Sequence, residues 1–493
     1  MGRLKYILFL ICLILVVTLI ACSNNTDTDS NNNGVTVANN IEDLAPPEEI
    51  ELKPDLPEKD MNGKIFNILA ARWYGYEPMN VTDISPEELT GEILNDAAYN
   101  RKINIETQYN CQIIHIETYE DDPGAIVQRI RRSVAAGDNA CDIALIRGIN
   151  FTSLMTGGGY LHELDTLPYI DFDMPWWNRK AYDALAVGGK RFGVCGSIST
   201  NEMMSVWTVC FNKNMIKDHG MESPYDLVKS GDWTFDKSVE MAKAVARDLN
   251  GDGIMDIDDL RGINYTSDTI MGILNASEVT IAALDSQGTP QITLNSQINL
   301  SKIQNIFTQL FDENYSVNTM DYDLAGLDGK IFADERCLLL FTATHLVGAL
   351  RQMDTDFGIV PYPKYNKEQA EYVPNTAGIF LPIVCVPKTN MDSENTGLFL
   401  EAFAYEGSKT IVPAFYENIL MGKTARDDES AAMLEYIYGN IRYDTGNLFN
   451  LGDFHGVIRN MAANKNTNIA SALERNIPVM ETAIDKLLND IIN

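Results

Sequence analysis

From residue 64 onward the apolar positions follow two alternating rhythms. Residues 64–70 (KIFNILA), 111–117 (CQIIHIE) and 141–146 are short apolar runs that read as strands. Between them, Ile93, Leu94, Ala97, Ala98, Arg101 and Ile105 recur at i, i+3/i+4 spacing, which predicts a helix over 90–109; a second follows at 125–136. Strand–helix–strand–helix–strand is the mark of an α/β chain with a parallel, doubly wound sheet. The pattern continues with a helix at 234–249, Thr234 standing where an N-cap belongs. Turn and strand are expected at 288–300 and a helix at 301–311. An apolar strand at 337–341 leads into Thr342-Ala343-Thr344-His345, which opens a helix. Strands at 356–361 and 379–386, a helix at 395–405 and a mostly helical remainder complete the reading.

One stretch departs from simple alternation. Residues 190–213 (KRFGVCGSISTNEMMSVWTVCFNK) hold two apolar runs, 192–195 and 206–211, that read as short strands. The polar break between them is too long for a tight hairpin and lacks Asn-Gly or Asp-Gly. Such a joint serves either as a loop between neighbouring strands or as a crossing between two lobes, where a few residues absorb a change of backbone angle.

The length of 493 residues calls for two lobes or domains. Charge changes the picture further: 69 Asp and Glu against 38 Lys and Arg give −31. So acidic a surface repels nucleic acid and anionic headgroups and favours a neutral or cationic ligand. The first 21 residues have a short basic start (Arg3, Lys5) and an apolar run, the layout of a signal peptide. The run is short for a membrane span, and an Asn-rich tract follows at once. Leu19-Ile20-Ala21-Cys22 resembles the lipobox of bacterial lipoproteins, which implies cleavage before Cys22, a lipid on its sulfur and a position on the outer side of the cell membrane. Residues 22–59, polar and then rich in Pro and Glu, read as a flexible tether. The six remaining cysteines show no metal-type spacing and read as buried thiols, with Cys195–Cys210 the first pair to consider for a disulfide.

Ligands of doubly wound sheets sit beyond the carboxyl ends of the strands, which points to Trp73, Tyr74 and Arg147 or else to ordinary loop residues. Trp176-Trp177 is the densest aromatic pair: a stacking platform, or two indoles pinning a loop to the core. The most specific local motif is 248–259. Asp248, Asn250, Asp252, Asp256 and Asp259 fall at positions one, three, five, nine and twelve, with Gly253 at six and the Ile254 carbonyl at seven. That is the spacing of an EF-hand-type Ca²⁺ loop, and Asp for Glu at the last position makes it similar to dockerin loops. It reads as a structural Ca²⁺ site or as an acidic turn without metal.

Several segments together resemble the extracellular solute-binding proteins of bacterial ABC importers, the maltose-binding-protein cluster. They are Asn95-Asp96-Ala97-Ala98-Tyr99-Asn100-Arg101, Ala136-Gly137-Asp138 before the 141 strand, Trp176-Trp177, Phe211-Asn212-Lys213, Gly231-Asp232-Trp233-Thr234, and Phe357-Gly358-Ile359-Val360-Pro361. The resemblance implies the two-lobed type II periplasmic-binding-protein fold with hinge crossovers near 199–205 and 376–381. Lobe one would take 60–200 and 380–430, lobe two 201–379 and 431–493. It also implies a non-enzymatic role: capture of a carbohydrate, most simply an oligosaccharide, by hinged closure, and delivery to ABC permease subunits. The ligand-binding residues it suggests are Trp73, Tyr74, Arg147, Trp176, Trp177, Glu202, Thr342 and His345. A surface glycosidase and an adhesin-type lipoprotein are the rival classes, but no nucleophile motif such as G-x-S-x-G or H-E-x-x-H is present.

Overall fold

A computed structural model describes residues 52–493, apart from 74–79, 121–123, 158, 323–328, 349, 351–352, 379, 421–426 and 493. The leader, Cys22 and most of the tether lie outside the described residues, as does Tyr74. Lys53–Asn493 forms one compact unit. Among the described residues no helix is long and apolar enough to cross a membrane.

The unit is built on two sheets. The first has four strands in the order β11-β3-β1-β2: β1 (Lys64–Trp73), β2 (Cys111–Glu120), β3 (Ile143–Arg147) and β11 (Pro382–Cys385). β1 pairs in parallel with β2 and β3, and β11 joins antiparallel to β3. The second has five strands in the order β10-β4-β9-β5-β8: β4 (Trp207–Asn212), β5 (Arg261–Tyr265), β8 (Ser316–Asn318), β9 (Cys337–Ala343) and β10 (Phe357–Val360). β5 runs parallel to β8 and β9, whereas β4 is antiparallel to β9 and β10. A separate hairpin pairs β6 (Ala282–Leu284) with β7 (Pro290–Ile292).

The helices form where the spacing places them, and their ends are chemically marked. Ala125–Ala136 buries Ile126, Val127, Ile130 and Ser133 on one stripe and stops at Gly137, whose left-handed φ of 70° lets its N–H close back on the last turn. Thr234 caps Phe235–Val245 by accepting from the Lys237 N–H at 3.2 Å. Ser393–Lys409 covers the first sheet: Phe399 stacks on Phe66 of β1 at 4.1 Å and on Phe403 one turn later at 5.1 Å. Each such buried ring contributes about 1.5–3 kcal/mol.

Three expectations need correction. Residues 192–195 do not form a strand; they touch β11 through the single bridge Val194–Val384. Gly193 and Gly196 explain this, because a Cβ at either would collide with Ile383 and Phe151 or with Trp176 and Trp177, so the chain lies flat against those groups. The helix expected at 301–311 begins earlier, at Gln297, because Ser296 accepts from the Asn299 N–H. The pair Cys195–Cys210 does not form: all six described cysteines are free and buried, with Cys195 under the first sheet's junction with β11 and Cys210 inside β4, packed in a different core.

Candidate functional site

The chain passes between the sheets at points that lie side by side. The first passage, 197–205, is pinned by two buried groups. Arg101, fully buried, donates to the carbonyls of Ser197 (3.3 Å), Ile198 (2.8 Å) and Asp83, and its guanidinium lies 3.8 Å above Phe403. Burial lowers its pKa to about 10, still far above neutrality. The Asp83 carboxylate accepts from the Ser199 hydroxyl at 2.9 Å and from the Thr200 N–H and hydroxyl at 2.6 and 2.9 Å. The second passage pairs with the first: Val206 bridges Thr376, the Ala377 N–H donates to Ser205 O at 2.7 Å, and the Trp207 N–H to Asn375 O at 3.0 Å. A third segment joins them, where Arg442 N–H donates to Pro374 O at 2.8 Å and Asn375 bridges Arg442.

Strand register sets what faces this junction. β1, β2 and β3 are parallel and end at Trp73, Glu120 and Arg147, and Arg147 pairs with Pro382, which directly follows the second passage. In the other sheet Ala343, the last residue of β9, pairs with Trp207, which directly follows the first passage, and β5 and β8 run with β9. The parallel strands of both sheets therefore aim their carboxyl ends at the same junction, where α/β sheets place ligands.

The proposed contact residues divide on this frame. Glu202 sits in the short helix Asn201–Met204 of the first passage and is 7% exposed. Its Oε1 accepts from the Tyr443 hydroxyl at 2.7 Å and from Asn178 Nδ2, which also donates to Tyr443 at 2.7 Å. Burial raises its pKa, and the two donors oppose that rise. Arg147 is buried at the β3 end, and Thr342 is buried in β9, one residue from the junction. His345 is half-buried in the helix Thr344–Val347 that follows, and burial lowers its imidazole to about 4, so it is neutral at pH 7. Trp73 ends β1 at the same edge.

Trp176 and Trp177 lie elsewhere. They are 2% and 4% exposed within the first sheet's core, and both indoles donate to one carboxylate: Trp176 to Glu401 Oε1 at 3.0 Å, Trp177 to Oε2 at 2.7 Å. The Asp171 N–H adds a third donor at 3.3 Å. Burial pushes Glu401 up to about 7 in spite of these donors. The pair reaches the junction through its backbone, since the Ser197 N–H donates to Trp176 O at 2.8 Å and Trp177 bridges Gly196.

Sequence reasoning missed Asn178, Tyr443 and two aromatics. Tyr416, from helix Ile411–Leu420, meets Tyr438, from helix Asp428–Gly439, edge to face at 5.6 Å. Both are half-buried, and Glu202 helps push the Tyr416 phenol up to about 12 after burial itself. An aromatic in a helical stripe carries no sign of this; Asn178 could have been found as the polar residue opening helix Arg179–Ala184, where it accepts from the Ala181 N–H.

The loop 248–259 closes between helix Phe235–Val245 and β5, tied by the bridge Arg247–Leu260. It thus lies at the amino end of β5, across the sheet from the junction. Asp248 accepts from the N–H groups of Gly251 (2.6 Å) and Gly253 (2.8 Å), and Asn250 and Asp252 each accept from the residue two further on, at 2.8 Å. Asp259 accepts from the Leu249 and Asp256 N–H groups at 2.9 Å, which depresses its pKa. Among the described residues no three His, Cys, Asp or Glu side chains converge as a metal-holding group. A cation here would need the Asn250 amide and the Ile254 carbonyl as well as the carboxylates.

No family model and no curated protein matches the chain. Solved structures do. The galacto-N-biose/lacto-N-biose I-binding protein of an ABC transporter from Bifidobacterium longum, in complex with lacto-N-biose, aligns with TM-score 0.57 at 13% identity over 88% of this chain and 99% of that one. A cyclo/maltodextrin-binding protein complexed with maltotetraose gives 0.55 at 13% over 86% and 99%. An ABC substrate-binding protein from Listeria monocytogenes, in complex with cycloalternan, gives 0.53 at 13% over 86% and 98%. With its two sheets and interleaved passages, the chain has the two-lobed, type II periplasmic-binding-protein fold of the oligosaccharide-binding ABC solute-binding proteins.

Proposed function

We propose that this protein captures an oligosaccharide between two hinged lobes and presents it, unaltered, to an ABC permease. One observation carries the reading: passages laced side by side, with the carboxyl ends of both sheets' parallel strands facing them. Lobe one is built on residues 60–200 and 380–430, lobe two on the rest. The neutral His345 and the hydroxyls of Thr342 and Tyr443 suit an uncharged, hydroxylated guest, as does a net charge of −31. Glu202, Arg147, Trp73 and Tyr74 complete the proposed contact set. Trp176 and Trp177 support it from behind, since both indole N–H groups are already engaged. The proteins it resembles in fold are binding proteins solved with lacto-N-biose, maltotetraose and cycloalternan. Small-angle scattering tests the reading: maltotetraose or a related glycan should reduce the radius of gyration, and chromatography should recover the sugar uncleaved. A profile unchanged across all glycans, or a cleaved product, would refute it.

The same reading places the chain on the outer face of the membrane, held by lipid at Cys22 through the tether 22–59. Labelled palmitate should be incorporated by the wild-type protein and not by Cys22→Ser; an unlabelled wild-type protein would refute the anchor. We further propose that Asp248, Asn250, Asp252, Ile254, Asp256 and Asp259 bind a structural Ca²⁺. Saturation at about 100 times Kd adds about 2.7 kcal/mol, so chelation should lower the melting temperature by several degrees. An unchanged melt would leave the loop as a turn.

A further inference from the structure

A cavity of about 320 Å³ opens between helix Phe454–Ala463 and helix Ile469–Ile492, apart from the junction residues. It stands at the lower end of the range of small-molecule pockets, about 300–1,000 Å³. Its wall holds a buried polar atom that has no partner among the described residues. Asn476 is 7% exposed, and its Nδ2 donates to Gly452 O at 2.8 Å, which fixes the amide's orientation. Its Oδ1 is then an acceptor that, among the described residues, receives nothing. A buried acceptor left unmatched carries a penalty of about 1–3 kcal/mol.

The turn feeding the cavity is strained. Asn450 (φ 43°) and Asp453 (φ 53°) both take left-handed backbone that only glycine adopts freely, with Gly452 (φ 62°) between them. That winding sets the Asp453 carboxylate over the first turn of helix Phe454–Ala463, where a Cβ on Gly456 would collide with it. Across the rim Arg475 is exposed and, among the described residues, forms no ion pair, although the chain carries 69 acidic residues. Asn460 adds an amide, while Val457 and Met461 supply an apolar patch.

We propose that this cavity is a second ligand site, for a small uncharged polyhydroxyl molecule of one sugar ring. Asp453 and Arg475 put one negative and one positive group on the same lining, which leaves it without a net charge to favour an ion. Acceptors and donors on both walls match hydroxyls, which do both, and Met461 suits a C–H face. The site is independent of the junction, so neither needs the other to be right.

Methionine-methyl ¹³C NMR of the intact protein separates the two, with D-glucose as probe and glycine and glucose 6-phosphate as charged controls. Met461 is assigned with Met461→Leu; Met203 and Met204 report the junction. Glucose should move the Met461 signal saturably, and Arg475→Ala should weaken that binding about tenfold, the worth of one charge-assisted hydrogen bond. The proposal falls if Met461 stays still, if Arg475→Ala leaves its titration unchanged, or if either charged control moves it as strongly. Motion of Met203 and Met204 alone would support the junction reading and overturn this one.

Discussion

Glu401 shows how one buried side chain can give stability a pH dependence. Its folded pKa of about 7 lies above the ordinary 4.5. Between those values the folded chain holds a proton that the unfolded chain has released, so stability falls as pH rises through the window. Asp444, raised to about 6 by burial, acts in the same direction, whereas the buried His455, lowered to about 4, acts in the opposite one. The wild-type melt alone would mix these. The difference between wild type and Glu401→Gln isolates the one group: the amide offers a single acceptor to two indoles, so the variant is less stable, and the gap should narrow from pH 5 to pH 8. A constant gap would show that Glu401 ionises normally, and a widening one that its folded pKa is lowered; either would overturn the assignment. Arg101 makes a sharper case, because three backbone carbonyls and a phenyl ring share one guanidinium. Arg101→Lys should lower the melting temperature nearly as far as Arg101→Leu, since an ammonium lacks the planar fork that spans the Asp83 and Ser197 segments. Neither residue announces itself in the sequence. Arg101 sits in the apolar stripe read as a helix face, and Glu401 is one acid among 69 whose partners are 224 and 225 positions away.

At the level of elements, close approaches govern how the passages seat. Gly148, which opens helix Gly148–Met155 straight after β3, lies so near Gly378 of the second passage that any Cβ would collide with its carbonyl oxygen. Gly407 lies as close to the Ser197 carbonyl of the first. Overpacking at either position costs about 2 kcal/mol, a loss of roughly 2 °C in melting temperature for a unit of this length. Gly148→Ala should also weaken glycan binding by shifting the second passage, while an alanine at the open Gly439 should change neither. Equal effects at the two positions would remove the assigned role. Strands and helices were largely legible, since each has its own periodicity: 125–136 emerged with the bounds of the helix, and 206–211 differs from β4 by one residue. The run 192–195 was not, because a pair of glycines beside apolar residues looks the same whether the chain pairs in a sheet or lies flat against indoles. Site residues were least legible. The Trp176-Trp177 pair has the composition of a ligand platform, and only the carboxylate delivered by a helix at 393–409 turns it inward.

For the whole molecule, closure should be visible through one of the five tryptophans. Trp176 and Trp177 are fixed on Glu401, and Trp233, fully buried, donates to Pro361 O at 2.9 Å. Trp207 instead begins β4 right after the first passage, with its ring beside Gly272 and stacked on Tyr362 at 6.2 Å. Trp207→Phe should therefore remove most of the fluorescence change that glycan produces; a full change in the variant would place the signal elsewhere, Trp73 first. The polar break at 196–202 did not by itself reveal the two-sheet plan, because a hydroxyl-rich joint serves a loop between neighbouring strands as well as a crossing; the length of the chain and the resemblance of the segments around the break pointed to the crossing.

The position of β11 has a further bearing, on synthesis. The first sheet gains its fourth strand only at 382–385, and its covering phenylalanines only at 399 and 403. A ribosome must therefore release some four-fifths of the chain before the earliest-made strands can find their last partner. Until then the nascent polypeptide keeps this sheet unfinished, with one edge of β3 lacking its partner strand.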